Sequence, residues 1–302
     1  MSQQNILGVA VTQWNQSALT VKLLDTLVSI KQIMYIVLVD NGSEDKELFA
    51  LREYLEKIKR SNLGITVHLI ENAVNSGFSV GSNIAISKLL SLGCDWIWLL
   101  NNDCEPKVIK PKGFQELIDH AEPAIYGSHI RTGKGSQFTG FYKFNFLLAS
   151  HTEIQQKHEF DEIDSSKKYV CGANMMIHKE VFAAVGLLNN RTFLYYEELD
   201  FVNRATKYGF SQRLSLDFKV FHHEAGSATG SYTTWYSEVW SNLDFYKTHK
   251  PRLFLIMLLL RCPVKALLNL IFLRKEKSLA ITSATLNFIS GNNVLMKEPK
   301  IQ

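Results

Sequence analysis

The feature that most constrains this chain is a rhythm repeated through its first hundred residues: a short apolar run, a polar tip, then a stretch with helical spacing. Ile6 to Val11 ends at Thr12-Gln13-Trp14-Asn15, after which Leu19, Leu23, Leu27 and Ile30 recur on one helical face. Met34 to Val39 ends in Asp40-Asn41-Gly42-Ser43 and leads into a polar-faced helix through about Leu55. Ile65 to Ile70 ends in Glu71-Asn72, and Phe78 to Leu92 reads as the next helix. Trp96 to Leu100 reads as a strand buried on both faces, and it ends at Asn101-Asn102-Asp103. Strands alternating with helices build an α/β fold, a mostly parallel sheet with right-handed crossovers. Ligands bind beyond the carboxyl ends of such strands, so the polar tips are expected along one ligand-facing edge.

Each tip carries its own chemistry. Oxygen ligands at alternate positions, Asn101 and Asp103, suit a hard cation such as Mg²⁺ or Mn²⁺ that also touches phosphate; a plain polar turn is the other reading. Asp40 offers an acceptor for a pyrimidine N–H, with Thr12, Trp14 and Asn15 shaping the same pocket; a helix N-cap and turn would use the same residues. The loop from Asn72 to Asn83, with Gly77 and Gly81, enters a helix whose first N–H groups suit phosphate. It is not the GxGxxG fingerprint of a nicotinamide site, and Thr132-Gly133-Lys134-Gly135-Ser136 is not a P-loop.

Residues 131–167 lose the strand–helix rhythm and read as a long surface excursion, a lid or acceptor-side loop. Tyr169 to Ile177 resumes a buried strand, interrupted by small residues where a ligand could approach closely. Next, Glu197, Glu198 and Asp200 follow the aromatic run Phe193 to Tyr196. Acids at a helix N-terminus are favoured by the macrodipole, and a general base poised against a hydroxyl needs the same residue type. Phe221-His222-His223-Glu224 places imidazoles at a strand end.

Bulk properties narrow the class. Of 302 residues 46% are hydrophobic and 21% charged, which describes a packed protein rather than a disordered one. A net charge of +4 with no basic stripe interleaved with aromatics excludes a nucleic-acid partner. Cys94, Cys104, Cys171 and Cys262 form no CxxC pair, so reduced thiols in a cytosolic compartment are expected. Met1 to Asn5 lacks the basic region and apolar core of a signal peptide.

In this order the pieces resemble the family 2 glycosyltransferases, especially their bacterial rhamnosyltransferase-like branch. The matching residues are Val11 to Asn15, Val39 to Ser43, Asn75 to Phe78 with Gly81 and Asn83, and Trp98 to Asp103. Gly172 to Met175, Gly186, Phe193 to Asp200, Arg204, Gly209 and His222 continue the match. The resemblance implies a GT-A fold, a Rossmann-like sheet flanked by helices, that inverts a sugar as it leaves a nucleoside diphosphate. It implies that Asp40 holds uracil or thymine, helped by Thr12 and Asn15, with Trp14, Asn41, Gly77, Asn83 and Asn102 lining the nucleotide. Asp103 matches the last acid of the family's DxD, which stands here as Asn101-Asn102-Asp103, and would hold Mg²⁺ or Mn²⁺ with Asn101 and His222. His223 is the alternative ligand, since the choice rests on spacing to Ser227. Glu198 matches the family's base, where Asp is usual, with Glu197 as the neighbouring alternative. The implied donor is dTDP-L-rhamnose, or else a UDP-hexose or UDP-N-acetylhexosamine, and the acceptor a lipid-linked glycan of bacterial surface polysaccharide (O-antigen or capsule). The different-class reading is a non-catalytic nucleotide-binding scaffold on the membrane.

Residues 1–250 are read as the transferase domain and 251–302 as a helical, membrane-associating tail. Leu253 to Leu260 is unbroken apolar sequence, and apolar character continues to Leu273. Arg261 and Lys265 interrupt it, each disfavouring a spanning helix by about 2.5–3.5 kcal/mol if placed centrally. An interfacial segment is expected instead, with Arg252, Arg261, Lys265, Arg274, Lys275 and Lys277 at anionic headgroups. That would make the protein peripheral on the cytoplasmic face of the inner membrane. The competing expectation is a helical pair that covers the sheet.

Overall fold

The structure, a computed structural model, describes residues 5–61, 64–224 and 230–301. The first hundred residues alternate as their sequence implies: β1 (Leu7–Gln13), α1 (Ser17–Leu27), β2 (Ile33–Asn41), α2 (Asp45–Arg60), β3 (Thr66–Asn72), α3 (Phe78–Ser91) and β4 (Trp96–Asn101). Strands β1 and β4 are almost wholly apolar because both faces are covered. Val9 and Val11 share one apolar cluster with Leu23, Leu24 and Leu27 of α1. Ala10 shares the other with Ala85, Ile86 and Leu89 of α3. Full burial of one such leucine stabilises by about 1.5–3 kcal/mol.

The chain continues through β5 (Cys104–Val108), α4 (Pro111–His120), β6 (Ala124–Thr132), β7 (Gln137–Phe138), β8 (Phe141–Asn145), β9 (Ser150–Glu153), α5 (Lys157–Glu162) and β10 (Lys168–Val170). Then come β11 (Asn174–His178), α6 (Lys179–Val185), α7 (Glu197–Lys207), β12 (Ser211–His222) and α8 (Tyr232–His249). Among the described residues the main sheet runs β3-β2-β1-β4-β11-β6-β12-β5, with β7 beside β6. The first four are mutually parallel, β11 is reversed between β4 and β6, and β5 is antiparallel to β12 at the edge. Register aligns the tips: Gln13 lies opposite Asp40, and Thr12 opposite Asn101. Asp40 and Asn101 are thus two strand spacings apart, about 10 Å.

Residues 131–167 are not the surface excursion expected. β8, β9 and β10 form a second, antiparallel sheet. Phe138, Phe141, Phe144 and Phe160 are buried there, so the aromatics that looked like a loop cluster are a core. The segment hides from helix and strand periodicity because its strands are two to five residues long.

The tail is a helix over Pro251–Ile271 with one π turn at Met257–Arg261, followed by a closing helix, Lys275–Ile289. Ala280, Ile281, Ala284 and Phe288 of the closing helix join the apolar cluster that holds Tyr236, Trp240 and Leu243 of α8. Arg261 and Lys265 do not reach outward to headgroups as expected. Lys265 pairs with Glu238 of α8 at 2.8 Å, and Arg261 donates to the Ala149 carbonyl at 3.4 Å. The last residues return to the end of β3, where the Lys300 N–H donates to Asn72 Oδ1 at 2.6 Å and the Ala73 N–H to the Lys300 carbonyl at 2.8 Å.

The loop after β3 depends on Gly77, whose φ of +90° lies in the region that favours glycine. A Cβ there would fall 2.5 Å from the Phe193 carbonyl, which accepts the Phe78 N–H. Gly77→Ala is expected to lower the free energy of unfolding by about 1–3 kcal/mol. A urea titration with an unchanged midpoint would contradict this packing.

Candidate active site

The edge at the ends of β2, β1 and β4 is built from side chains that hold one another. Asp40 is buried; its Oδ1 accepts the Ser43 N–H at 3.0 Å and its Oδ2 a hydrogen bond from Gln13 Nε2. Gln13 also donates to Ser43 Oγ at 3.0 Å, and Ser43 Oγ accepts the Asn15 N–H at 2.9 Å. Gln13 and Ser43 are site residues that sequence reading passed over; their signal was only their place in strand tips. Thr12 packs against Gly81, where any Cβ would meet its methyl at 2.5 Å, and its hydroxyl lies 3.3 Å from Ser82 Oγ. Trp14 is half exposed above this edge.

Several residues expected against the nucleotide are engaged by the protein itself. Asn41 donates to the Gly77 carbonyl at 3.0 Å and accepts from Asn72 at 2.9 Å, clasping the glycine loop to β2. Asn15 sits at a φ of +53° and accepts the Glu44 N–H at the start of α2. Asn83 both donates to and accepts from the Leu188 backbone, at 2.9 and 3.0 Å. Asn102 donates to Thr20 Oγ1 at 3.2 Å. These four side chains are thus held in place by partners within the protein.

Beyond β4, the turn into β5 carries Asp103, and β12 ends beside it. His222 Nε2 lies 3.1 Å from Asp103 Oδ1, and Cys104 Sγ belongs to the same group of ligand atoms, all within 4.8 Å of one another. His223 turns away to Glu105 at 2.5 Å, so of the two imidazoles His222 faces the acid. Ser227, from which that choice was counted, lies outside the described residues. Oxygen and imidazole donors fit Mg²⁺ or Mn²⁺. The buried Oδ1 of Asn101 has no hydrogen-bond partner and would serve as a further donor. The Cys104 thiol fits less well: burial pushes its pKa well above the usual value, and it donates to the Ala173 carbonyl at 3.4 Å.

Glu197 and Glu198 open α7 after two consecutive left-handed residues, Tyr195 (φ 71°) and Tyr196 (φ 68°). Such strain persists only where the surroundings enforce it. Here Ser241 Oγ donates to the Leu194 carbonyl at 2.8 Å and Asn242 Nδ2 to the Tyr196 hydroxyl at 2.6 Å. Asp200, one turn on, anchors the helix. Burial alone would raise its pKa, but His249 at 2.6 Å and Arg204 at 2.8 Å outweigh burial and hold the carboxyl below the ordinary range. Arg204 also donates to the Val185 and Leu187 carbonyls, locking α7 to the loop after α6.

The two glutamates have no such partners; Oε2 of each is buried without a hydrogen bond. Burial pushes Glu198 up to about 7 and Glu197 well above the carboxylate range, with the neighbouring Glu198 charge adding to the latter. Glu198 faces Gly172, where a Cβ would lie 3.5 Å from its carboxyl carbon. The next residue, Ala173, accepts the Asn101 N–H at 3.2 Å and the Cys104 thiol through its carbonyl. Two residues of chain therefore join the residue against which Glu198 packs to the turn that carries Asp103. Tyr142 and Tyr169 lie near enough to Glu198 for its charge to raise their phenols further, after burial.

The profile described as Glycosyl transferase family 2 matches residues 9–186. The chain belongs to this family. Among its curated relatives, the low-salt glycan biosynthesis hexosyltransferase of Haloferax volcanii is 26% identical over 190 residues, which cover 59% of this chain and 55% of that protein. The chain thus aligns with little more than half of that relative. The dTDP-rhamnosyl transferase RfbF of Shigella flexneri is 24% identical over 220 residues, 72% of this chain and 69% of RfbF. Among solved structures, the mannosyltransferase from Pyrobaculum calidifontis, in complex with GDP-Man and Mn²⁺, superposes with a TM-score of 0.55 at 11% identity, covering 97% of this chain and 77% of that one. TarS of S. aureus gives 0.52 at 14% identity, with coverage of 81% and 40%. Both carry the fold alone, and it is the GT-A fold that the family resemblance implies.

Raised carboxyl pKa values make the glutamate pair a pH-dependent liability. Its contribution to stability is fully present below the ordinary value of 4.5 and is lost as pH rises through the folded values. Glu197→Gln is expected to melt at a higher temperature than wild type at pH 8 and at nearly the same temperature at pH 4. Thermal unfolding at the two pH values decides it; a lower melting point at pH 8 would refute the assignment.

Proposed function

We propose that this family 2 nucleotide-sugar transferase inverts the sugar it moves, with Glu198 as the base. The reading rests on one observation: the buried Glu198 carboxylate, without a hydrogen-bond partner on Oε2, packs against Gly172, and the neighbouring Ala173 holds the turn that sets Asp103 beside His222. Glu198 takes the proton from the acceptor hydroxyl as that oxygen bonds to the anomeric carbon. The bond from that carbon to the diphosphate oxygen breaks on the opposite face, and its electron pair leaves with the diphosphate. Asp40, held by Gln13 and Ser43, orients the base about 10 Å from Asn101, a span that suits a nucleoside followed by a diphosphate. A divalent cation at Asp103, His222 and Asn101 would supply positive charge against the leaving diphosphate.

For the donor we propose dTDP-L-rhamnose first, supported by the similarity to RfbF, and a UDP-hexose or UDP-N-acetylhexosamine second. Thymine and uracil present the same N–H to Asp40, so that residue accepts either. The acceptor proposed is a lipid-linked glycan of bacterial surface polysaccharide, met on the cytoplasmic face of the inner membrane.

Glu198→Gln is expected to lower transfer by roughly 10²–10⁴-fold. The same variant should keep the thermal protection given by the nucleotide; turnover at the wild-type rate would remove Glu198 from the role. In the wild type, kcat/KM should rise with pH up to about 7, since the base must lose its proton to act. An acid limb near 4.5 would place catalysis elsewhere. In a panel of nucleotide sugars, the true donor at a hundredfold excess over Kd should stabilise by about 2.7 kcal/mol. That protection should depend on Mn²⁺ and be lost in Asp103→Ala; protection unaffected by a chelator would count against the cation.

A further inference from the structure

The tail helix and the β8–β9 turn, a hundred residues apart in sequence, meet where Arg261 donates to the Ala149 carbonyl, and each exposes apolar side chains. Between residues 253 and 273 the charged side chains are Arg261 and Lys265, and both turn to the packed side. The opposite side presents Leu255, Ile256, Leu259, Leu260, Leu267 and Ile271 to solvent, with Leu259 69% exposed. At 1.5 Å per residue this uncharged stripe runs for about 24 Å. The turn adds Leu147 and Leu148, 72% and 64% exposed. Arg261 binds its Ala149 carbonyl, and the Tyr246 hydroxyl donates to its Phe146 carbonyl.

Part of that turn's backbone is paired within the protein. The N–H groups of Leu147 and Leu148 both donate to Asn145 Oδ1 at 3.0 Å, while the carbonyls of Phe146 and Ala149 are taken as described. Cations flank the stripe at both ends, Lys250 and Arg252 before it and Arg274, Lys275 and Lys277 after it, with one acid, Glu276, among the latter. Pairing with a second copy, in either direction, would set these cations against one another. Anionic headgroups complement them.

We infer that the tail helix and the Leu147–Leu148 turn together form one face that sinks into the acyl region of an anionic bilayer, the helix lying in the plane. In-plane placement follows from the packed side: Met257, Cys262 and Asn269 are buried, and Lys265 is tied to Glu238 on α8. A spanning helix would be stripped of those contacts. The same small sheet that carries the turn also carries Tyr142 and Tyr169 near Glu198. From Leu147 to Tyr142 is about 16 Å of strand. A glycan on a lipid carrier can follow that strand from the bilayer to the base, and this last step rests on the transfer reading above.

The test is flotation of the full chain with vesicles of phosphatidylcholine and phosphatidylglycerol. Wild type is expected to float. Leu147→Asp with Leu148→Asp, and separately Leu259→Asp with Leu260→Asp, should each lower partitioning at least about tenfold. Both pairs should keep far-UV circular dichroism and cooperative melting. Leu148→Trp should float and be quenched by brominated acyl chains. Wild type that stays in solution, Asp pairs that float like wild type, an unquenched Trp, or a dimer that forms through this face instead of floating would each overturn the inference. Protection by nucleotide is measured on the same preparations. Flotation without protection would sink the transferase reading and leave this one standing.

Discussion

A single carbonyl, that of Ala173, governs how this molecule comes together. It accepts the Asn101 N–H at the end of β4 and the Cys104 thiol at the start of β5, so the turn that carries Asp103 is pinned from both sides. The residue before it, Gly172, is the one against which the Glu198 side chain packs. The reversed strand β11 begins just after, with Asn174 Oδ1 accepting from Trp98 Nε1 and its amide donating to Ser128, both at 2.8 Å. Buried polar groups must be paired, and here the pairing draws β4, β11 and β6 into one register at the ligand edge.

The acids of α7 divide their labour by environment. Asp200 is ion-paired with Arg204 on one oxygen and hydrogen-bonded to His249 on the other, and its carboxyl is held below the ordinary range, which fixes the helix; Glu197 and Glu198 sit beside it without such partners on Oε2, and burial raises their pKa values. Carboxyls of similar chemistry are thus separated into an anchor and a proton acceptor by what surrounds them. The left-handed Tyr195–Tyr196 step sets this arrangement, because it turns the chain so that α7 begins with its acids facing inward.

Much of this was legible in the sequence, and the misses have physical causes. The four parallel strands and their tips follow from periodicity, since strands buried on both faces write themselves as continuous apolar runs. The family resemblance named Asp103, His222 and Glu198; the first two lie side by side, and Glu198 packs against Gly172, next to the residue that holds the Asp103 turn. The second sheet was invisible because strands of two to five residues leave no pattern. Asn15 and Asn41 read as ligand contacts because asparagine at a strand tip serves a ligand and a turn equally well, and the structure shows each also fastening backbone of its own chain. Arg261 and Lys265 misled for a similar reason. Sequence gives a charge but not its direction, and both side chains point into the protein.

The return of the chain's last residues to Asn72 adds a geometric limit. That asparagine also donates to Asn41 and Ser76, so the terminus is stitched into the clasp that shapes the nucleotide rim. The tail helix leaves from α8 and is followed by a segment fastened at the opposite border of the sheet, so it cannot swing like a tether. With that helix resting in lipid as proposed, the catalytic hollow would stand at a set height above the bilayer. Only carriers whose glycan is long enough to climb that height could present a hydroxyl to Glu198, and the protein would gauge the length of what it extends.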